Sequence, residues 1–598
     1  MAFLKHLVST AFLLTCTMVM LEASPGEEIF GKLYLSKSLS PIIYSTFAAL
    51  NALAIASLLY SMKRATKKVQ GPSVVLVRPT HWSQRWLQHD ATLMVFQTIE
   101  TTIHVLQAYR LSLYCVDIAV ASAYALVISA GCLGIPWLFF STRFFVKTTL
   151  VLFLNSFVSF VLAVGISQVQ FLMPIAMTMY SDKRHEYSLS WMTRNLPLLR
   201  FLFPSSAVEL GANTVLFASS WINLRRLVNH VRLRRPLYVR SPRLRSLRRS
   251  LSDSFEAITD VRKSLEFRHS RAKRGFFLLQ MVLGLALLGN VVYTHAMRVA
   301  CPLDCILETA PWFETTCSCR YLRLNCIALQ TQTITSALVS PDIWGPHVFV
   351  LHIVQCPLTH GVDVSLLTPF RDLTGLVLEV SNLSEWRFNG SMWPPSLLSL
   401  KIWYANLTTL PDVVYTLPPN LQVLELQGNR LAHIPSDVLP HWQSLSSLSL
   451  SDAALTFLPD AMAQLTALER LDVSSNRLGA LPRAWISTLP RLTHLEMANN
   501  NISVLGSDLI TARPHLMLDL SNNPIASVPA TAFTAVQRRR LLLDGSPFCL
   551  SEKAVIGCAP VCAESCSNFS WQDNVCQRGC NKPTCCRGDG GDCAHLFP

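Results

Sequence analysis

Two hydrophobic rhythms divide this chain. In the first half apolar residues run on with few interruptions, over about 41–61, 113–140, 146–175, 202–222 and 275–296. Such runs match the roughly 20 residues a helix needs to cross the hydrocarbon of a bilayer. In the second half, from Val348 to Cys549, leucines return at fixed short spacings in the pattern L-x-x-L-x-L-x-x-N-x-L-x-x-L-P. The clearest copies begin at Leu421 and Leu468, with further ones at Leu397, Leu445, Leu492 and His515, so successive starts lie 24, 24, 23, 24 and 23 residues apart. Degenerate copies begin at Val348 and Leu373.

Each copy predicts a strand of about five residues whose alternate apolar side chains point inward, then a turn that leads to the next strand. One unit cannot bury its leucines alone, whereas stacked units share a continuous core. Asn429, Asn476, Asn500 and Asn523 occupy the ninth position, where an amide can bond backbone groups of the neighbouring coil. Cys356, Ser381, Ala405 and Ala453 interrupt that ladder. The motif and its period resemble the leucine-rich repeat (LRR), which implies an α/β solenoid over 348–558.

Charge sets the orientation of the apolar half. Between Arg225 and Arg274 there are 16 Arg and Lys against four acids, a net of +12 in a chain whose total is +14. Nucleic acid is a poor partner for this block, because apolar spans flank it. Basic residues also close the first span (Lys63–Lys68) and separate the second and third (Arg143, Lys147). If all three basic segments face the cytoplasm, residues 69–142 must cross twice. The additional span is Ala91–Tyr109, with a tight turn at Arg110–Leu113. The expectation is an α-helical bundle of about six spans over 41–222 and 275–296, with a cytoplasmic loop at 223–274. Residues 1–24 read as a signal peptide or an uncleaved anchor. The 225–274 loop suits anionic lipid, and it equally serves as topogenic charge. Within the spans, Glu100 with His104 and Glu209 with Asn213 are polar pairs at i, i+4. They fit interhelical hydrogen bonding, or a proton or ion site.

Fifteen of the 18 cysteines lie at or after Cys301, as do the five N-x-[ST] sequons at Asn382, Asn389, Asn406, Asn501 and Asn568. Both features point to an oxidising, extracellular space for the second half. Cys301, Cys305, Cys317, Cys319 and Cys326 resemble the N-terminal cap of extracellular LRR domains (301–347), and the segment around Cys549 resembles a short C-terminal cap with Cys558 as its partner. Residues 562–593 resemble a Notch-type (LNR) repeat through their C-x3-C spacings and D-G-G-D-C. Asp589 and Asp592 with the glycines between them can bend around a hard cation that favours oxygen ligands. The resemblance implies Ca²⁺, with Asp573 and Asn581 as further ligands. It also implies Cys562 paired with Cys585 or Cys586, Cys566 with Cys580, and Cys576 with Cys593. The extra cysteine of the Cys585–Cys586 pair, in an odd total, leaves a thiol for an intermolecular disulfide.

The expected fold is therefore a transmembrane helical bundle, an extracellular α/β solenoid and a small disulfide-rich calcium module. LRR proteins of this kind bind partners. Positions two, three, five, seven and eight of each unit face the concave side, which gives Lys401, Glu425, Ser449, Asp472, Glu496 and Asp519 at position five, with Trp403 and Tyr404 beside Lys401. This face reads as a site for a basic protein or peptide, against the alternative of a solvated charged surface. No H-E-x-x-H, G-x-S-x-G or P-loop motif occurs. The leading expectation is a non-enzymatic, multi-pass plasma-membrane protein presenting its repeats for recognition or adhesion. The alternative is a transporter, channel or receptor-like bundle regulated by its ectodomain.

Overall fold

The computed structural model describes residues 2–22, 39–67, 90–141, 144–162, 164–166, 189–202, 207–233, 271–387, 393–486, 488–506, 513–551, 557–561, 566 and 580–581. Eight helices precede the sheet among these residues: α1 (Ala2–Glu22), α2 (Leu39–Lys67), α3 (Asp90–Tyr114), α4 (Ile118–Gly134), α5 (Phe144–Phe160), α6 (Leu189–Leu202), α7 (Ala207–Leu233) and α8 (Arg271–Met297). Four helical stretches are long and apolar enough to cross a membrane: Ser40–Tyr60, Ile118–Phe140, Val146–Ile166 and Arg271–Met297. Helix α3 forms where charge parity requires a further helix, although its composition is less apolar. The turn after it differs from expectation. The helix continues through Arg110 to Tyr114, and the break falls at Cys115–Asp117. Asp117 decides this, because its carboxylate accepts a hydrogen bond from the Val120 N–H (3.4 Å) as the N-cap of α4.

Contacts fix which way the helices run. Near the solenoid, Arg110 of α3 pairs with Glu209 at the start of α7 (2.8 Å), and Ser122 of α4 meets His295 at the end of α8 (2.8 Å). At the remote end, Arg226 of α7 lies over Phe96 of α3 (4.5 Å) and Trp137 packs edge-on to Phe277 of α8 (4.9 Å). Thus α3 and α8 run toward the solenoid, while α4 and α7 run away from it. Helix α1 belongs to the same bundle. Its Lys5 Nζ, buried in the interior, donates to Ser156 O (2.9 Å), Ser156 Oγ (2.7 Å) and Ser220 Oγ (2.9 Å). His6 bonds Asn51 of α2 (2.6 Å), and Phe12, Leu13 and Cys16 are fully buried.

The second half is one eleven-stranded sheet in the order β1 to β11. Strand β1 (Cys305–Glu308) pairs antiparallel with β2 (Cys319–Asn325). The parallel strands that follow are β3 (Val350–Val354), β4 (Gly375–Glu379), β5 (Ser399–Trp403), β6 (Val423–Glu425), β7 (Ser447–Ser449), β8 (Arg470–Asp472), β9 (His494–Glu496), β10 (Met517–Asp519) and β11 (Leu541–Leu542). Leu424, Leu448, Leu471 and Leu495 stand in register with no exposed surface. The position-nine amides bridge adjacent coils: Asn476 donates to Leu450 O (2.9 Å) and Val473 O (2.9 Å) and accepts from the N–H of Ala453 (3.1 Å) and Leu455 (2.8 Å). Asn429, Asn500 and Asn523 repeat this pattern. Position eight adopts the left-handed region in every coil, from Gln355 and Val380 through Tyr404, Gly428, Asp452, Ser475 and Asn499 to Asn522. Each strand therefore ends in the same sharp turn.

Candidate functional site

The described disulfides join Cys301 to Cys317, Cys305 to Cys319, Cys326 to Cys356, Cys549 to Cys558 and Cys566 to Cys580. The Cys326–Cys356 bond is absent from the sequence reading, which treats Cys356 only as a gap in the asparagine ladder. The available signal was the unpaired cap cysteine Cys326 next to a cysteine at position nine of the first coil. Asp573, Asp589 and Asp592 lie outside the described residues, as do Cys562, Cys576, Cys586, Cys593, Asn389 and Asn568; Asn581 is exposed. Asn382, Asn406 and Asn501 are exposed and all follow position nine of their coils, so the three sequons share one flank.

The position-five residues form a cross-strand row: Lys401 faces Glu425, Glu425 faces Ser449, Ser449 faces Asp472, Asp472 faces Glu496, and Glu496 faces Asp519. The first part of this row closes on itself. Lys401 Nζ pairs with Glu425 Oε1 (2.9 Å) and sits 5.1 Å from the Trp403 ring centre, while Trp403 Nε1 donates to Glu425 Oε2 (2.9 Å). Lys401 and Trp403 are each 2% exposed and Glu425 4%. Trp403 is therefore not the open anchor expected of it, because its ring and its N–H are already partnered within the fold. Tyr404 is half-buried. Next to this trio, His352 bonds Tyr321 Oη through Nδ1 (3.0 Å) and Glu379 through Nε2 (3.0 Å).

Farther along, Asp472 accepts from the Ser474 N–H (2.9 Å) and Ser449 Oγ (3.0 Å). Burial and the neighbouring Glu496 charge nevertheless push its carboxyl up to about 6. Burial acts the same way on Asp372. There the His347 hydrogen bond (2.9 Å) and the Arg320 charge (3.1 Å) outweigh it and hold the carboxyl down at about 2.

The concave face of the first coils is covered by the helical bundle. One apolar cluster runs from Tyr44, Leu111, Cys115 and Leu198 of the bundle through Trp312 to Tyr321, Phe349, Val350, Val377 and Trp403 of the solenoid. Polar contacts reinforce it: the Trp312 N–H donates to Ser112 Oγ (3.2 Å), Tyr109 and Trp312 pack at 6.0 Å, and Arg320 stacks 5.0 Å over Tyr114. The polar pairs within the helices also have partners. Glu100 accepts from Ser219 Oγ and from Asn223 Nδ2 (2.9 Å), and Asn213 accepts from Gln107 (3.1 Å) and donates to Tyr44 Oη (3.3 Å). Beside Glu100 and His104 is a cavity of about 30 Å³, enough for a water molecule.

These features form a solenoid of leucine-rich-repeat type with a disulfide-tied cap, set on a bundle with four helical stretches long and apolar enough to span a bilayer. The family model described as "Leucine rich repeat" matches residues 419–478 and 466–525. Chaoptin of Drosophila melanogaster is 32% identical over 156 residues, 26% of this chain and 12% of chaoptin. The leucine-rich repeat-containing G-protein coupled receptor 5 of Xenopus tropicalis is 28% identical over 199 residues, 29% of this chain and 21% of the receptor. The crystal structure of human 5T4 (trophoblast glycoprotein) aligns with a TM-score of 0.33 and 21% identity, covering 40% of this chain and 88% of that one. The chain thus spans only a fraction of the length of these two curated relatives.

Proposed function

We propose that this chain is a non-enzymatic, multi-pass plasma-membrane protein that presents its extracellular solenoid for protein recognition. The observation that carries this reading is the seating of the first coils on the helical bundle, at the end remote from its basic segments. Lys67, Lys147, Arg226 and Lys273 all belong to that remote end, the side that positive charge assigns to the cytoplasm. Counting α1 and setting aside the short, Pro197-containing α6, seven of the eight described helices before the sheet then alternate in direction, one more than the six of the sequence reading. The interior hydrogen bonds of Lys5 and His6 support a retained first helix over a cleaved signal.

The same seating favours a receptor-like variant of this reading, in which the bundle responds to the ectodomain. A passive anchor has no need of a shared core. Similarity to a membrane receptor supports this, as does the long polar network inside the bundle. A basic protein or peptide is the partner that the negative charge of the later coils suits, reached through half-buried Asp472, since Glu496 (9% exposed) and Asp519 (3%) lend their charge from beneath the surface. The Notch-type segment would hold one Ca²⁺ through Asp573, Asn581, Asp589 and Asp592, and the 225–274 loop would meet anionic lipid. The Cys585–Cys586 thiol would remain available for an intermolecular disulfide.

Topology is tested on intact cells with the full chain. A tag after Pro598 should be reached by antibody and a tag before Met1 should not, and glycosidase should reduce the mass. An inaccessible C-terminus would overturn the reading. Flux across proteoliposomes holding the full chain would replace recognition with transport.

A further inference from the structure

We propose that Val299, Leu303 and Phe313 form a lipid-contact surface that beds the N-terminal cap in the outer leaflet of the membrane. This rests on the membrane reading above. Large apolar side chains on a soluble surface are usually scattered singly. Here three of them, exposed by 63%, 97% and 75%, sit on loops of one small cap, just after the last helix ends. The Cys301–Cys317 disulfide ties the two loops, and the Val299 N–H donates to Thr315 O (2.9 Å). Phe313 projects from a left-handed backbone position (φ 67°) that a bulky residue rarely adopts, while its neighbour Trp312 is buried against the bundle. The fold thus holds one aromatic in and one out.

What covers the patch follows from its continuity with α8. From Leu278 to Val292 every exposed residue of that helix is apolar, Leu279, Val282, Leu285 and Val292 among them, and beyond His295, which turns to Ser122, Met297 carries the face on to Val299. Aromatic residues mark both ends: Trp137 and Phe277 at the remote end, Tyr293, Tyr109 and Trp312 near the cap. From Phe277 to Tyr293 a helix rises about 24 Å, and the hydrocarbon core is about 30 Å thick. The cap loops therefore stand at headgroup level, where amphipathic rings and apolar tips settle. Asp304, Glu308 and Glu314 stand around them against Arg298 and Arg323, a slight acidic excess. Zwitterionic lipid suits that balance better than anionic lipid.

The test is site-directed spin labelling of the full chain in phosphatidylcholine vesicles, with Leu303→Cys and Phe313→Cys read against Val282→Cys on α8 and Gln464→Cys on the solenoid. Background from native thiols is taken from the parent protein. The expected result is that oxygen relaxes the labels at 303 and 313 several-fold more than a water-soluble nickel chelate does, as at 282 and in contrast to 464. Water-like values at 303 and 313 with lipid-like values at 282 would overturn the proposal and leave the membrane reading intact. Low collision rates with both reagents would assign the patch to a protein partner and also overturn it. Water-like values at 282 would sink both readings. If Phe313→Cys does not accumulate, Val299→Cys takes its place.

Discussion

Removing the charge of Glu425 alone should unsettle the solenoid more than removing it together with its partner. Lys401 and Glu425 form an ion pair at 2.9 Å with almost no exposure on either side chain. Breaking a buried pair strands the remaining charge at a cost of about 3–5 kcal/mol, whereas replacing both ions by apolar groups of similar volume is often neutral. Glu425→Gln keeps an acceptor for Trp403 Nε1 and strands Lys401, so about 3 kcal/mol of local stability should be lost. Lys401→Met with Glu425→Leu strands only the indole N–H, worth about 1–3 kcal/mol. A solenoid opens in pieces, so the readout is native-state amide hydrogen exchange along β5 to β7 in the full chain. The amides of β10 should change little, because each coil contacts only its neighbours. If Glu425→Gln lowers the opening free energy of β5 and β6 by less than about 1 kcal/mol, the pair is hydrated and the burial argument fails.

Three further outcomes follow from the same geometry. Asn476→Ala removes partners from three carbonyls and two N–H groups and should cost about 2–4 kcal/mol, read as faster exchange at Ala453 and Leu455. Asp472 has a folded pKa of about 6 against 3.8 for the ordinary group, so folding takes up a proton between those values. Stability of β8 and β9 should fall as pH rises through that window, and Asp472→Asn should abolish the slope; a slope of opposite sign refutes the assignment. Gly428 has φ 70°, and a Cβ there would overlap the Tyr404 ring. Gly428→Ala should therefore lower the thermal midpoint, by about 1–3 kcal/mol of stability.

The sequence showed the repeats because inward leucines recur whatever surrounds them. It showed α3 because charge parity demanded a helix where composition was weak. It left α1 open, since a signal peptide and a packed apolar helix share a composition, and the partners of Lys5 and His6 that favour the packed helix lie far along the chain. The concave face was misjudged for a related reason. Lys401, Glu425 and Trp403 look like surface residues in a strand pattern, and nothing local reveals that they pair in the interior. The turn at Cys115–Asp117 was placed too early because Arg110 was taken to end a helix that in fact carries it to the Glu209 ion pair.

The Cys326–Cys356 bond gives the first coil a different character from those after it. In the four coils with asparagine at position nine, the fastening is a set of amide hydrogen bonds that reform whenever neighbouring coils meet. At Cys356 the equivalent fastening needs an oxidant. A chain still facing a reducing environment would have its later coils able to stack while the coil beside the helical bundle stayed unlatched. Maturation of the solenoid at the bundle is thereby tied to the redox state around the chain, and a reductant should loosen the molecule at its two disulfide-tied ends, Cys326–Cys356 beside the helices and Cys549–Cys558 at the far cap, before the amide-held coils between them.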